Sequence, residues 1–161
     1  IWCFERFFVK APSGRKRFNV LGALNAITHE VITVTNDTYI TANQICELLQ
    51  KIAALGLTIP ITLILDNARY QKCKIVQALA DELGIELLYL PAYSPNLNLI
   101  ERLWKFVKKK CLYAKYYPDF SQFSAAITDC LGQTHLQYKQ ELDSLLTLKF
   151  QSFNKTKIIA A

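Results

Sequence analysis

Two carboxylates, Asp66 and Glu101, stand where side chains of their type can do chemistry. The apolar run Ile61-Thr62-Leu63-Ile64-Leu65 ends in Asp66-Asn67, and thirty-four residues separate Asp66 from Glu101 at the start of a helical stretch. Carboxylates are hard oxygen donors, able to hold a hard divalent cation where two or more converge. Taken singly, each has an ordinary explanation. Asp-Asn after a strand is a common turn or cap, and Asn98-x-x-Glu101 fits a capping box. Neither alone would justify a function; together, the order of elements could bring both carboxylates to the same edge of a sheet.

The elements that must position these acids follow from periodicity and punctuation. Arg17 to Asn25 and Glu30 to Thr35 read as two strands joined through Asn25 to His29 as a hairpin, and the turn Pro12-Ser13-Gly14 separates them from the apolar Ile1 to Val9. Ile45, Leu48, Leu49, Ile52 and Ala53 share one helical face, with Thr41 and Gln44 as a capping box and Gly56 as the stop. Ile61 to Leu65 has almost no polar alternation, which predicts a strand covered on both faces. A helix carrying Ile75, Val76, Leu79 and Leu83 runs to Gly84, and Ile85 to Leu90 is the next strand; β-α-β order makes these two strands parallel.

Pro91 and Pro95 break the chain before a helix from about Asn98 to Leu112. Two further helical faces are expected, one from Phe123, Ala126, Ile127, Cys130 and Leu131, the other from Leu142, Leu145, Leu146 and Leu148. The fold class is therefore α/β, a mixed sheet flanked by helices. Ligands on such sheets gather at the carboxyl ends of strands, where Asp66 lies.

Composition sets the outer bounds. With 161 residues, 52% hydrophobic and 20% charged, the chain fits one globular domain, 1–161. Its apolar runs fall short of the roughly 18 to 20 residues of a bilayer span, and no signal peptide is legible, so the expected compartment is cytoplasmic. Five scattered cysteines and two isolated histidines argue against a disulfide framework or a zinc site. The net charge of +6 favours a polyanionic partner. Candidate DNA contacts are Arg102, Lys105, Lys108 and Lys109 along the Glu101 helix, and Arg15, Lys16 and Arg17 at the hairpin turn, with Arg69 a weaker one.

The segments Leu63-Ile64-Leu65-Asp66-Asn67-Ala68-Arg69 and Leu90-Pro91-Ala92-Tyr93-Ser94-Pro95-Asn96-Leu97-Asn98-Leu99-Ile100-Glu101-Arg102-Leu103-Trp104 together resemble the mariner-type bacterial insertion-sequence transposases. The likeness extends over Arg17 to Asn25, covering most of residues 10 to 110. It implies an RNase H-like catalytic domain in which three acids hold two Mg²⁺ (or Mn²⁺) ions for phosphodiester hydrolysis and strand transfer. Asp66 and Glu101 would be two of the three, with Asn67 and Asn98 in supporting positions. Double-stranded DNA, at transposon ends and target, would be the partner, bound by a homo-oligomer associated with the nucleoid. A non-catalytic DNA-binding or oligomerisation remnant is the alternative.

The departures from that pattern are specific. The family's first acid lies on its first, central strand, yet no Asp occurs before Asp37, and Glu5 is the sole acid upstream of the matched segment that starts at Arg17. The resemblance thus implies an amino-terminally truncated domain, without the central strand or the helix-turn-helix, whose sheet has two unpaired inner edges unless a separate segment supplies the first strand and first Asp. Gln71 stands where many relatives have a histidine.

Overall fold

A computed structural model describes residues 16–91, 94 and 97–150. The apolar stretch Ile1 to Val9, the Pro12-Ser13-Gly14 turn and Arg15 lie outside the described residues.

The hairpin forms as expected, with β1 (Asn19–Leu24) antiparallel to β2 (Val31–Asn36) in the register Asn19 to Asn36 through Leu24 to Val31. Asn25 shapes its turn, because Asn25 Oδ1 accepts from the amides of Ile27 and Thr28 at 2.9 and 3.0 Å. Helix α1 (Ala42–Ala53) opens on the full capping box: Thr41 Oγ1 accepts from Asn43 N, and Gln44 Oε1 accepts from Thr41 N at 2.9 Å. Gly56, at φ 61°, turns the chain after it.

Strand β3 (Ile61–Leu65) runs parallel to β4 (Ile85–Tyr89), and α2 (Lys74–Glu82) is the crossover between them. Three helices follow, α3 (Leu99–Cys111), α4 (Phe120–Gly132) and α5 (Lys139–Leu145). Among the described residues no helix is long and apolar enough to cross a membrane.

Alternation along β1 and β2 sorts the chain into layers. Phe18, Val20, Leu24 and Val31 pack with α3, α4 and α5 in one core around Leu103, Phe106 and Leu142. Leu21, Ala23, Ile32 and Val34 face the opposite way and pack with α1 and α2 in a second core around Ile45, Leu49 and Val76, which also receives Ile61, Leu63, Ile85 and Leu87. The first hairpin is therefore sandwiched between helix layers.

Two expectations are corrected. Strand β3 is not covered on both faces: Ile64 and its register partner Leu88 remain 50% and 49% exposed. Among the described residues, the apolar core of the α3–α5 layer takes strand side chains from β1 and β2 and none from β3 or β4. The last helix stops at Leu145, leaving Leu145 and Leu148 exposed while Leu142 and Leu146 are buried. The strands moreover form two two-stranded sheets, β1-β2 and β3-β4, with no hydrogen bond joining them among the described residues.

Candidate functional site

Asp66 is the first residue past β3 and is exposed. One bond beyond the β4 ladder, from Leu90 N to Leu65 O at 2.9 Å, keeps the two strand ends together at this point. Behind Asp66 the chain bends into a 3-10 turn, Arg69–Gln71. Gln71 is only 6% exposed, and it fixes that bend twice. Its Oε1 accepts from Ala68 N at 3.3 Å, and its carbonyl accepts from the Tyr89 hydroxyl at 3.0 Å. Gln71, marked in the sequence only as a departure, is a brace for the segment that carries Asp66.

Asn98 connects the acid to the next element. It is 8% exposed at the N-cap of α3; its Nδ2 donates to Asp66 Oδ1 at 2.8 Å while its Oδ1 accepts from Ile100 N at 3.3 Å. These two partners fix the amide's orientation, since a flipped group would set oxygen against carboxylate and nitrogen against an N–H. The carboxylate also lies beside the positive end of a helix, which stabilises its charge. The resemblance implies a supporting position for Asn98, and this bond is the contact it makes with Asp66.

Glu101 is the third residue of α3 and half-buried. The expected capping box forms only in part: Asn98 caps the helix and Glu101 N donates to Asn98 O at 3.2 Å, but among the described residues the Glu101 side chain makes no reciprocal bond to Asn98 N and no hydrogen bond or ion pair. The geometry therefore does not spend this carboxylate on the helix terminus. Among the described residues no cluster of three or more metal-ligating side chains occurs. Asn67 is exposed beside Asp66.

The basic candidates divide. Lys105, Lys108 and Lys109 are exposed along α3. Arg102 is half-buried and engaged internally, donating to the carbonyls of Leu145 (3.3 Å) and Thr147 (2.8 Å), with its guanidinium 5.4 Å from the Phe150 ring. Arg17 donates to Thr38 O and lies over Tyr39; Lys16 is exposed near Phe120; Arg69 is exposed next to the Asp66 bend. Lys110 pairs with Glu141 at 2.8 Å, and that hydrogen bond pushes its pKa up from 10.5. A cavity of about 390 Å³ near the end of α3 is lined by Lys110, Cys111, Lys115, Tyr117 and Cys130 and includes neither acid.

Comparison with known proteins gives three findings. A family model described as DDE superfamily endonuclease matches residues 5–124. The insertion element IS630 uncharacterized 39 kDa protein of Shigella sonnei is 32% identical over 98 residues, which is 60% of this chain and 29% of that protein's length. Among solved structures, the catalytic core domain of BIV integrase aligns at a TM-score of 0.56 with 18% identity, over 81% of this chain and 96% of that one. A simian T-cell lymphotropic virus intasome in complex with PP2A regulatory subunit B56 gamma aligns at 0.52 with 12% identity, over 86% of this chain and 57% of that one. At such identities the likeness shows the fold, which is RNase H-like.

Proposed function

This chain belongs to the DDE superfamily endonuclease family, and from that premise we propose that it is the catalytic domain of an insertion-sequence DNA transposase in which Asp66 and Glu101 are two of the metal-binding acids. The observation that carries the proposal is the 2.8 Å bond from Asn98 to Asp66. It docks the N-terminus of α3 onto the end of β3, and Glu101 follows Asn98 by one helical turn, a spacing of about 5 to 6 Å between Cβ atoms.

The donor set fits Mg²⁺ or Mn²⁺: hard carboxylate oxygens, one acid exposed and the other with its carboxylate free of bonds among the described residues. When bound, the ions supply Lewis acidity to phosphodiester hydrolysis and strand transfer. Asn98 holds the Asp66 carboxylate in one rotamer, Gln71 holds the backbone behind it, and Lys105, Lys108 and Lys109 offer phosphate contacts along the same helix. The family's first acid is not among the described residues. We assign its place to the unpaired edges of β1 and β3, where an extended acid-bearing segment, from upstream sequence or from another chain, would join the two sheets. Double-stranded DNA and homo-oligomers on it, at the nucleoid of a bacterial cytoplasm, are the partners and setting this reading implies.

The test is Mn²⁺ titration of the isotope-labelled chain. Paramagnetic broadening is expected at the amides of both residues 66 and 101, and Asp66→Asn or Glu101→Gln should weaken it at both. Broadening at one site alone, or at neither, would overturn the shared-ion proposal. Nicking of supercoiled duplex DNA then separates the readings. Metal-dependent nicking lost in Asp66→Ala identifies an endonuclease, whereas DNA binding without nicking identifies a non-catalytic remnant.

A further inference from the structure

We infer that Gly22, in the middle of β1, is a positioning residue for the two-acid site, acting through Trp104 of α3. The inference rests on the reading of Asp66 and Glu101 given above. Gly22 lies between Val20 and Leu24 on the strand face that meets α3, so parity calls for a side chain pointing into the helix layer. None is there. A Cβ built on Gly22 would sit 3.0 Å from Trp104 Cη2, 3.1 Å from Trp104 Cζ2 and 3.5 Å from Ile100 Cδ1. Ordinary carbon contacts are about 3.5 to 4.0 Å, so the indole occupies the volume a methyl group would need. The φ of Gly22 is not in the left-handed region, unlike those of Gly56 and Gly84. Close approach, and not backbone conformation, is therefore the reason for glycine here.

This contact matters because of what lies between it and the Asn98 anchor. Asn98 and Trp104 are six residues apart, about 9 Å along the helix axis and about 120° around it, and Glu101 is the midpoint in both senses. One anchor grips the end of β3, the other rests on the backbone of β1, and those strands belong to sheets with no hydrogen bond between them among the described residues. Helix α3 is thus a second tie between the sheets, beside the α1 and α2 core that both share, with Glu101 carried between its two anchors. The missing Cβ at position 22 sets the height of the helix above β1, and through it the distance from Glu101 to Asp66. Displacements of about 1 Å at such a distance can cost a catalytic site about a hundredfold.

The experiment follows the Asn98 side-chain amide by NMR, since its bond to Asp66 reports the seat of α3 without any metal. Gly22→Ala, and more strongly Gly22→Val, should shift those signals and speed their hydrogen exchange severalfold. Trp104→Phe, which removes the two crowding ring atoms, should restore the parent signals in the Gly22→Ala background. Parent-like Asn98 signals in Gly22→Ala, with only a lowered melting point, would reduce Gly22 to a packing residue and overturn the inference. Should Gly22→Val fail to fold, Gly22→Ala with and without Trp104→Phe decides the question. Mn²⁺ broadening is recorded in parallel: its absence in the parent defeats the shared-ion reading, while the Asn98 signals still report whether Gly22 seats the helix.

Discussion

Asn98 performs two tasks with one amide, and substitutions can separate them. Asn98→Ala loses both the cap and the bond to Asp66, and a cap alone is worth typically about 1 kcal/mol. Asn98→Asp keeps an acceptor for Ile100 N but sets carboxylate against carboxylate. The expected outcome is that both variants melt earlier, and that millimolar Mn²⁺ restores Asn98→Asp but not Asn98→Ala; thermal midpoints with and without the ion check it. A second prediction concerns Cys130, whose pKa is pushed up to about 12 by burial, then by its hydrogen bond with Cys111. Above pH 9 the unfolded thiol ionises while the folded one keeps its proton, so the native state binds more protons and stability falls as pH rises from 9 toward 12. Urea midpoints at pH 8 and pH 10 should fall further apart in the parent than in Cys130→Ala. At this scale Asp66 was legible because a strand end followed by a turn is a local signal. Gly22 was not, because its reason is an indole 82 positions further along the chain.

Helices and strands were legible wherever their signals are local. The Thr41 and Gln44 box, the apolar run that became β3, and the glycines after α1 and α2 all mark the ends of elements from within a few residues. Helix α3 shows where such reasoning stops. Its basic stripe looked uniform, but Arg102 bonds to carbonyls 43 and 45 residues away, a relation that spacing within the helix cannot reveal. The stripe should therefore divide by function. Replacing Lys105, Lys108 and Lys109 together by Gln should lower the slope of log affinity for duplex DNA against log salt by about 0.9 for each lysine that contacts a phosphate. Arg102→Gln should leave that slope unchanged and lower the melting point, because it frees the Leu145–Thr147 segment from α3. Filter binding across a salt series, with a melting curve for each variant, distinguishes the two roles, and a reduced slope in Arg102→Gln would return that residue to the DNA-binding face.

For the molecule as a whole, the α/β class and the parallel β3-β4 pair were legible, and the uneven cover over the strands was not. Hydropathy reports that a strand such as Ile61–Leu65 can be buried on both faces; whether a helix layer reaches it depends on where distant elements pack. Among the described residues, the core of α3, α4 and α5 includes strand side chains from β1 and β2 and none from β3 or β4, and Ile64 and Leu88 stand as a register pair, each half exposed. That apolar pair lies in a two-stranded sheet that, among the described residues, has no further strand on either edge, a combination that favours association between chains. The protein is therefore expected to self-associate as its concentration rises. Replacing both Ile64 and Leu88 by Thr puts a β-branched residue, suited to a strand, at each position and removes apolar surface that is half in water already. The double variant should thus lose little stability, about 1 kcal/mol or less per site, while its association weakens at least tenfold. Sedimentation velocity over a concentration series, with urea midpoints alongside, tests this, and association undiminished in the double variant would exclude the β3-β4 face as its source.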